Sequence, residues 1–136
     1  GAIGTEQLKK WPAIMKTRLE NAQRFVNLFG NQSWCRIQKT IGDSSWFTFG
    51  MVLDGALKGR RAEVVKALDE AKIQTRPLAS RNFLKQPVMR DLDFIDNNDY
   101  TAANDIHDNG FFVGNGSVPI KDEITKLYEV ISSLLK

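Results

Sequence analysis

Trp46-Phe-Thr-Phe-Gly-Met-Val-Leu53 is the stretch that decides the fold. Strand side chains alternate between two faces, so Phe47, Phe49, Met51 and Leu53 share one side while Trp46, Thr48, Gly50 and Val52 share the other. The first side is apolar enough to face a core; the second, with a glycine in it, has room. Asp54-Gly55 and Gly59 then mark a loop, and Ala62, Val64, Val65, Leu68 and Ala71 give a helix of about three turns. Ile73 to Arg76 reads as a short strand, which completes a strand–helix–strand unit.

Working outward, Gly42-Asp-Ser-Ser45 supplies a turn before the central strand, and Arg36 to Ile41 alternates polar and apolar residues as an earlier strand would. Before it, Leu8, Trp11, Met15, Leu19, Ala22, Val26 and Phe29 recur at three- and four-residue steps, one apolar face of a long amphipathic helix capped by Gly30-Asn31. Pro12 should start that helix or bend it, because proline removes a hydrogen bond and crowds the preceding turn. On the far side, the acidic, asparagine-rich run Asp91 to Asp99 reads as surface loop. Tyr100 to Asn109 reads as a helix with Ala102, Ala103 and Ile106 on one apolar face and a glycine stop at Asn109-Gly110. Phe111 to Val113 is a short strand, Gly114-Asn-Gly-Ser117 a turn, and Ile120 to Leu134 a final amphipathic helix with Asp122 and Glu123 near its positive end.

The totals fit this picture of one α+β domain over residues 1–136. With 42% hydrophobic and 26% charged residues the chain has the composition of a soluble globular protein, and no apolar run reaches the roughly 18 residues of a membrane span. A cytoplasmic location is expected. The single cysteine, Cys35, excludes an intrachain disulfide and a thiolate metal site. The formal charge of +3 is compatible with an anionic ligand without requiring one.

Candidate chemistry concentrates after the Ile73–Arg76 strand, in a polar loop between Pro77 and Pro87. Pro77 biases Arg76 towards extended geometry and so aims its guanidinium. Guanidinium forks suit phosphate or carboxylate, and the amides of Asn82 and Gln86 can donate and accept to sugar hydroxyls. Composition leaves this loop as either a ligand wall or a solvated connection. Asn115, between two glycines, is either a close contact to a ligand or part of a turn. His107 suits a cap at its helix end better than catalysis. Arg81, Phe83, Lys85 and Arg90 interleave cations with an aromatic as a single-strand nucleic-acid groove would, but Asp91, Asp93, Asp96 and Asp99 would repel a phosphate backbone there. Ser44 and Ser45 have no base nearby in sequence.

The segments Ile73-Gln-Thr-Arg-Pro77, Asn82-Phe-Leu-Lys-Gln-Pro87 and Phe112-Val-Gly-Asn115 resemble the C-terminal part of the DegT/DnrJ/EryC1/StrS family of pyridoxal-phosphate-dependent sugar aminotransferases and dehydratases. Ile37-Gln-Lys39 with Ser44-Ser-Trp-Phe47 resembles more closely the branch of nucleotide-linked 4-keto-6-deoxysugar 3-dehydratases of lipopolysaccharide sugar synthesis. The resemblance implies a small, mainly antiparallel sheet with helices on one face, forming the small domain of a fold-type I enzyme. It implies that the large domain, which carries pyridoxal phosphate on a lysine or has a histidine in its place, is not among these residues, and that Gly1 is a vector remnant. Arg76, Asn82, Gln86 and Asn115 would then face the nucleotide sugar, with no catalytic, cofactor-binding or metal-binding residue in this chain and no activity from it alone. A homodimeric parent is implied, with no nucleic-acid or membrane partner. Thr48 and Gly116 depart from the family pattern, where glycine and histidine are usual. The alternative, from the residues alone, is a stand-alone binding module for anionic sugars or single-stranded nucleic acid.

Overall fold

The computed structural model describes residues 1–95 and 99–136; the expected surface loop therefore lies outside the described residues at Asp96, Asn97 and Asn98. Among the described residues four α-helices, α1 (Ala2–Phe29), α2 (Arg61–Glu70), α3 (Thr101–Asn109) and α4 (Lys121–Ser133), accompany four strands, β1 (Cys35–Ile37), β2 (Thr48–Leu53), β3 (Thr75–Arg76) and β4 (Gly110–Gly114). The strands form one sheet in the order β1-β2-β4-β3, and every neighbouring pair is antiparallel. β4 inserts between the two strands of the strand–helix–strand unit, so β2 and β3 run parallel without touching. None of the helices is long and apolar enough to cross a membrane, among the described residues.

Pro12 neither starts nor ends α1, which continues through it for 28 residues, about 42 Å at helical rise. A proline at this position forfeits the bond to the Leu8 carbonyl. That turn is exposed, so water can serve the carbonyl instead. The expected apolar face is buried only in its second half: Ala22 and Phe29 reach the core, joined by Phe25, whereas Leu8 is 71% exposed and Trp11 and Leu19 are exposed as well. The helix closes on Gly30 in right-handed geometry, so no left-handed cap is used.

β2 begins at Thr48, two residues later than expected, because Trp46 has a φ of +47°. That turn inverts the alternation at the strand entrance. Trp46 swings into the core and Phe47 points outward, the reverse of the sequence pattern, while Phe49, Met51 and Leu53 stay inward as expected. Phe25 stacks between Phe29 and Phe49 with ring centroids at 4.7 and 4.4 Å, and Trp46 packs edge-on at 6.4 Å. Offset stacking of this kind adds about 1 kcal/mol per pair beyond area burial. Val64 and Leu68 of α2, Phe111 and Val113 of β4, and Ile124, Leu127 and Ile131 of α4 complete this core.

Cys35 is buried beside it, and burial pushes its thiol up to about 12, so it is a packing residue and not a nucleophile. The short α3 lies across the opposite sheet face, where its Asp105 bonds Arg36 of β1. Of the apolar face expected there, Ala103 is half-buried while Ala102 and Ile106 are exposed. The side that meets the sheet is polar instead, through Asp105 and the buried Asn109.

Candidate functional site

β3 ends at Arg76, and the chain then folds into a tight polar loop on the sheet face opposite the core. Leu78 anchors it. Its methyls fill the space left by two glycines: a Cβ on Gly50 would stand 3.5 Å from Leu78 Cδ2, and one on Gly110 only 2.7 Å from Leu78 Cδ1 and 2.4 Å from the Ile106 carbonyl. Gly110 has a φ of −88°, so glycine is required there for close approach and not for a left-handed helix stop. The room inferred beside Gly50 is therefore real, and a loop side chain occupies it.

Beyond Leu78 the backbone turns through two non-glycine residues in left-handed geometry, Ala79 at φ +43° and Arg81 at φ +58°. Asn82 stops the turn. Its Oδ1 accepts from Leu84 N at 3.0 Å, capping a 3₁₀ turn over Phe83–Lys85, and its Nδ2 donates to Asn104 Oδ1 at 2.9 Å. Gln86 Nε2 reaches back to the Ser80 carbonyl at 3.0 Å, closing the loop on itself before a second 3₁₀ turn over Pro87–Asp91.

Two hollows border this loop. One of about 590 Å³ runs between Pro77, Ala79, Ser80, Arg81, Phe83, Gln86 and Val88. The other, about 320 Å³, sits at the sheet edge between the start of α2 and the end of β3, lined by Arg61, Thr75, Arg76, Arg81 and Phe111 among others. A separate apolar hollow of about 370 Å³ lies between β4 and α4, with Gln74 and Glu123 as its polar residues.

The four residues expected at a ligand thus divide. Arg76 is exposed on one hollow and Gln86 half-buried on the other, whereas Asn82 and Asn115 line neither and are 6% and 3% exposed. Asn115 Nδ2 donates to the carbonyls of Trp46 at 2.7 Å and Arg18 at 3.1 Å, and its Oδ1 accepts from Asn21 Nδ2 at 3.1 Å. Asn21, unremarked in the sequence, also donates to the Val118 carbonyl and accepts from Ile120 N. Together they lock α1 to the turn before α4 and to the entrance of β2. A polar residue between Arg18 and Ala22 on the buried side of α1 was the available signal for Asn21.

Elsewhere the polar groups answer one another. Arg36 bridges Asp54 at 2.9 Å and Asp105, which also takes Asn109 Nδ2 at 2.9 Å and lies 3.5 Å from Lys58. The hydrogen bond from Arg36 holds the Asp105 carboxyl below the usual carboxylate range. Lys85 lies 3.4 Å from Asp108, which removes one cation from the interleaved pattern. His107 stands in the last turn of α3 with its Nδ1 buried and without a hydrogen-bond partner. Among the described residues no cluster of three His, Cys, Asp or Glu side chains could hold a metal ion. Every lysine is exposed.

Residues 1–131 match the DegT/DnrJ/EryC1/StrS aminotransferase family. The chain is 39% identical over 132 residues to a GDP-4-keto-6-deoxy-D-mannose 3-dehydratase of Yersinia pseudotuberculosis, covering 96% of this chain and 34% of that protein. A lipopolysaccharide biosynthesis protein RfbH of Salmonella typhimurium is 36% identical over 72 residues, covering 53% of this chain and 16% of that protein. Among solved structures, the Escherichia coli GDP-4-keto-6-deoxy-D-mannose-3-dehydratase with bound hydrated PLP superposes with a TM-score of 0.88 at 37% identity, over 95% of this chain and 33% of that one. The chain therefore spans about one third of the length of the 3-dehydratases it matches. Two thirds of those proteins have no counterpart here, yet the likeness runs through nearly every element of this fold: the chain belongs to the DegT/DnrJ/EryC1/StrS aminotransferase family.

Proposed function

We propose that residues 1–136 form the C-terminal, substrate-side domain of a pyridoxal-phosphate-dependent nucleotide-sugar enzyme of lipopolysaccharide sugar synthesis, most closely a 4-keto-6-deoxyhexose 3-dehydratase. The observation that carries this reading is the 39% identity to the Yersinia 3-dehydratase over 96% of the chain. It is supported by the loop after β3, which presents guanidinium and amide groups beside two open hollows, as recognition of an anionic sugar requires. The same reading includes a cytoplasmic location and a homodimeric parent.

In this reading pyridoxal phosphate supplies an electron sink and is held by residues outside the chain. The residues of this chain bind and orient. Arg76 and Gln86 form the substrate wall. Asn82 and Asn115 set its shape from within, the first by capping the loop and the second by fixing the entrance of β2, and no group here moves a proton in the reaction. Alone, the chain binds nucleotide sugar weakly and catalyses nothing.

The test is a chimera in which this chain replaces the corresponding third of the E. coli 3-dehydratase. The expected result is a cofactor-loaded protein that removes the C3 hydroxyl of GDP-4-keto-6-deoxymannose. A folded, cofactor-loaded chimera that leaves that substrate unchanged would sink the dehydratase reading. Pyridoxal absorbance that survives dialysis of the isolated 136-residue chain would show that the cofactor site is within it.

A further inference from the structure

The hollow of about 320 Å³ at the sheet edge is lined by three arginines, Arg61, Arg76 and Arg81, and by no carboxylate. Arg61 opens α2, Arg76 ends β3, and Arg81 lies in the loop that follows, so three separate pieces of chain line the hollow, with the charges of Arg61 and Arg81 close enough to repel. The guanidinium of Arg61 has the Gly110 carbonyl at 3.4 Å as its partner, while the side chains of Arg76 and Arg81 make no hydrogen bond or ion pair among the described residues. The Arg61 guanidinium is partly desolvated and also repelled by Arg81, and both effects lower its pKa. The nearest compensating carboxylate, Asp108, is not in the lining and is already paired with Lys85.

Like charges brought together under partial burial oppose folding, and so does an arginine held at φ +58°. The turn needs a left-handed residue at position 81 but not an arginine, and no side-chain bond of Arg81 within the described residues compensates for it. Both features make sense where a doubly negative group joins the guanidiniums, since planar forks bind phosphate oxygens in pairs. At about 320 Å³ the hollow is at the small end of ligand pockets, of roughly 300–1,000 Å³, and suits a phosphate group better than a whole nucleotide.

We infer that Arg61, Arg76 and Arg81 form a phosphate-binding site, and that its natural occupant is the diphosphate of a nucleoside-diphosphate ligand. The identity of that occupant rests on the nucleotide-sugar reading above; the phosphate site itself does not. Arg61 and Arg81 are then binding residues in addition to Arg76, and Gln86, on the adjoining hollow, is left for the sugar.

The probes are inorganic pyrophosphate, inorganic phosphate and glutarate, titrated into the 136-residue chain and followed by backbone amide NMR shifts at low and moderate salt. The expected result is saturable binding of pyrophosphate, tighter than phosphate, with shifts at Arg61, Ala62, Thr75 and Arg81. R81Q and R61Q should each weaken it about tenfold, and K16Q, which removes an exposed charge on α1, should leave it unchanged. Circular dichroism checks that each variant is folded. Since R61Q also loses a contact to Gly110, R81Q is the deciding variant. Absence of saturable pyrophosphate binding, or binding that R81Q and K16Q alter equally, would overturn the site. Glutarate binding tighter than pyrophosphate would overturn the phosphate assignment in favour of a dicarboxylate. Pyrophosphate binding as expected alongside an inactive chimera would leave the site standing while removing the dehydratase reading.

Discussion

Two polar turns, Gly114 to Ser117 and Leu78 to Gln86, look alike as sequences: each sets amides among glycines, alanines or prolines beside a short strand. The structure treats them oppositely. In the first, Asn115 finds Asn21, Arg18 and Trp46, and all of its side-chain bonding is internal. In the second, Asn82 is bonded inward, but the side chains of Arg81 and of Arg76 just before the turn have no partner among the described residues, and Arg81 sits in strained geometry. Polarity in a loop therefore says little about ligand binding until its partners are known. A buried polar group that is fully satisfied holds the fold, and a gathered set of unsatisfied cations is what remains available to a ligand.

If the contrast is right, stability and binding should separate along it. The largest effect on folding is expected from Asn115→Ala, which deprives the Trp46 and Arg18 carbonyls and Asn21 of a buried partner; a loss of about 3 kcal/mol in urea unfolding is anticipated. A loss below about 1 kcal/mol would mean that water replaces the amide and the turn is not closed. Asn82→Ala removes a cap and strands Asn104, and about 2 kcal/mol should be lost in the same measurement.

Arg81→Gly should go the other way. Glycine accepts φ +58° without strain, and a gain of up to about 1 kcal/mol in stability is expected, offset in part by its freer unfolded chain. A clear loss of stability would show that Arg81 supports the fold after all. The smallest effect belongs to Arg76→Gln, which should leave the melting curve within about 0.5 kcal/mol of wild type while pyrophosphate affinity falls. Equal losses in both quantities would erase the distinction between the two turns.

Local pattern carried much of the architecture because alternation and helical spacing act over a few residues. Phe49, Met51 and Leu53 face the core as their spacing dictates, α4 buries Ile124, Leu127 and Ile131 from its apolar stripe, α2 buries Val64 and Leu68 but leaves the expected Ala62 exposed, and the antiparallel sheet follows from the family resemblance. Trp46 and Phe47 exchanged faces because a single left-handed residue resets the alternation, and nothing in the residue types announces a tryptophan at positive φ. α1 ran past Pro12 because the lost hydrogen bond falls on an exposed turn. Ala102 and Ile106 stayed outside because α3 meets the sheet through Asp105 and Asn109.

The sequence by itself determined the fold class, the place of the polar loop after β3 and the family, since each depends on short-range spacing or on contiguous motifs. Tertiary structure alone decided which polar residues are available. Asn21 and Asn115 are 94 positions apart, and Arg61 stands in a different element from Arg81, whose charge repels it. Hydrogen bonding and Coulomb repulsion act over a few ångströms of space, whatever the separation along the chain, so only the folded path could tell the closed turn from the open one.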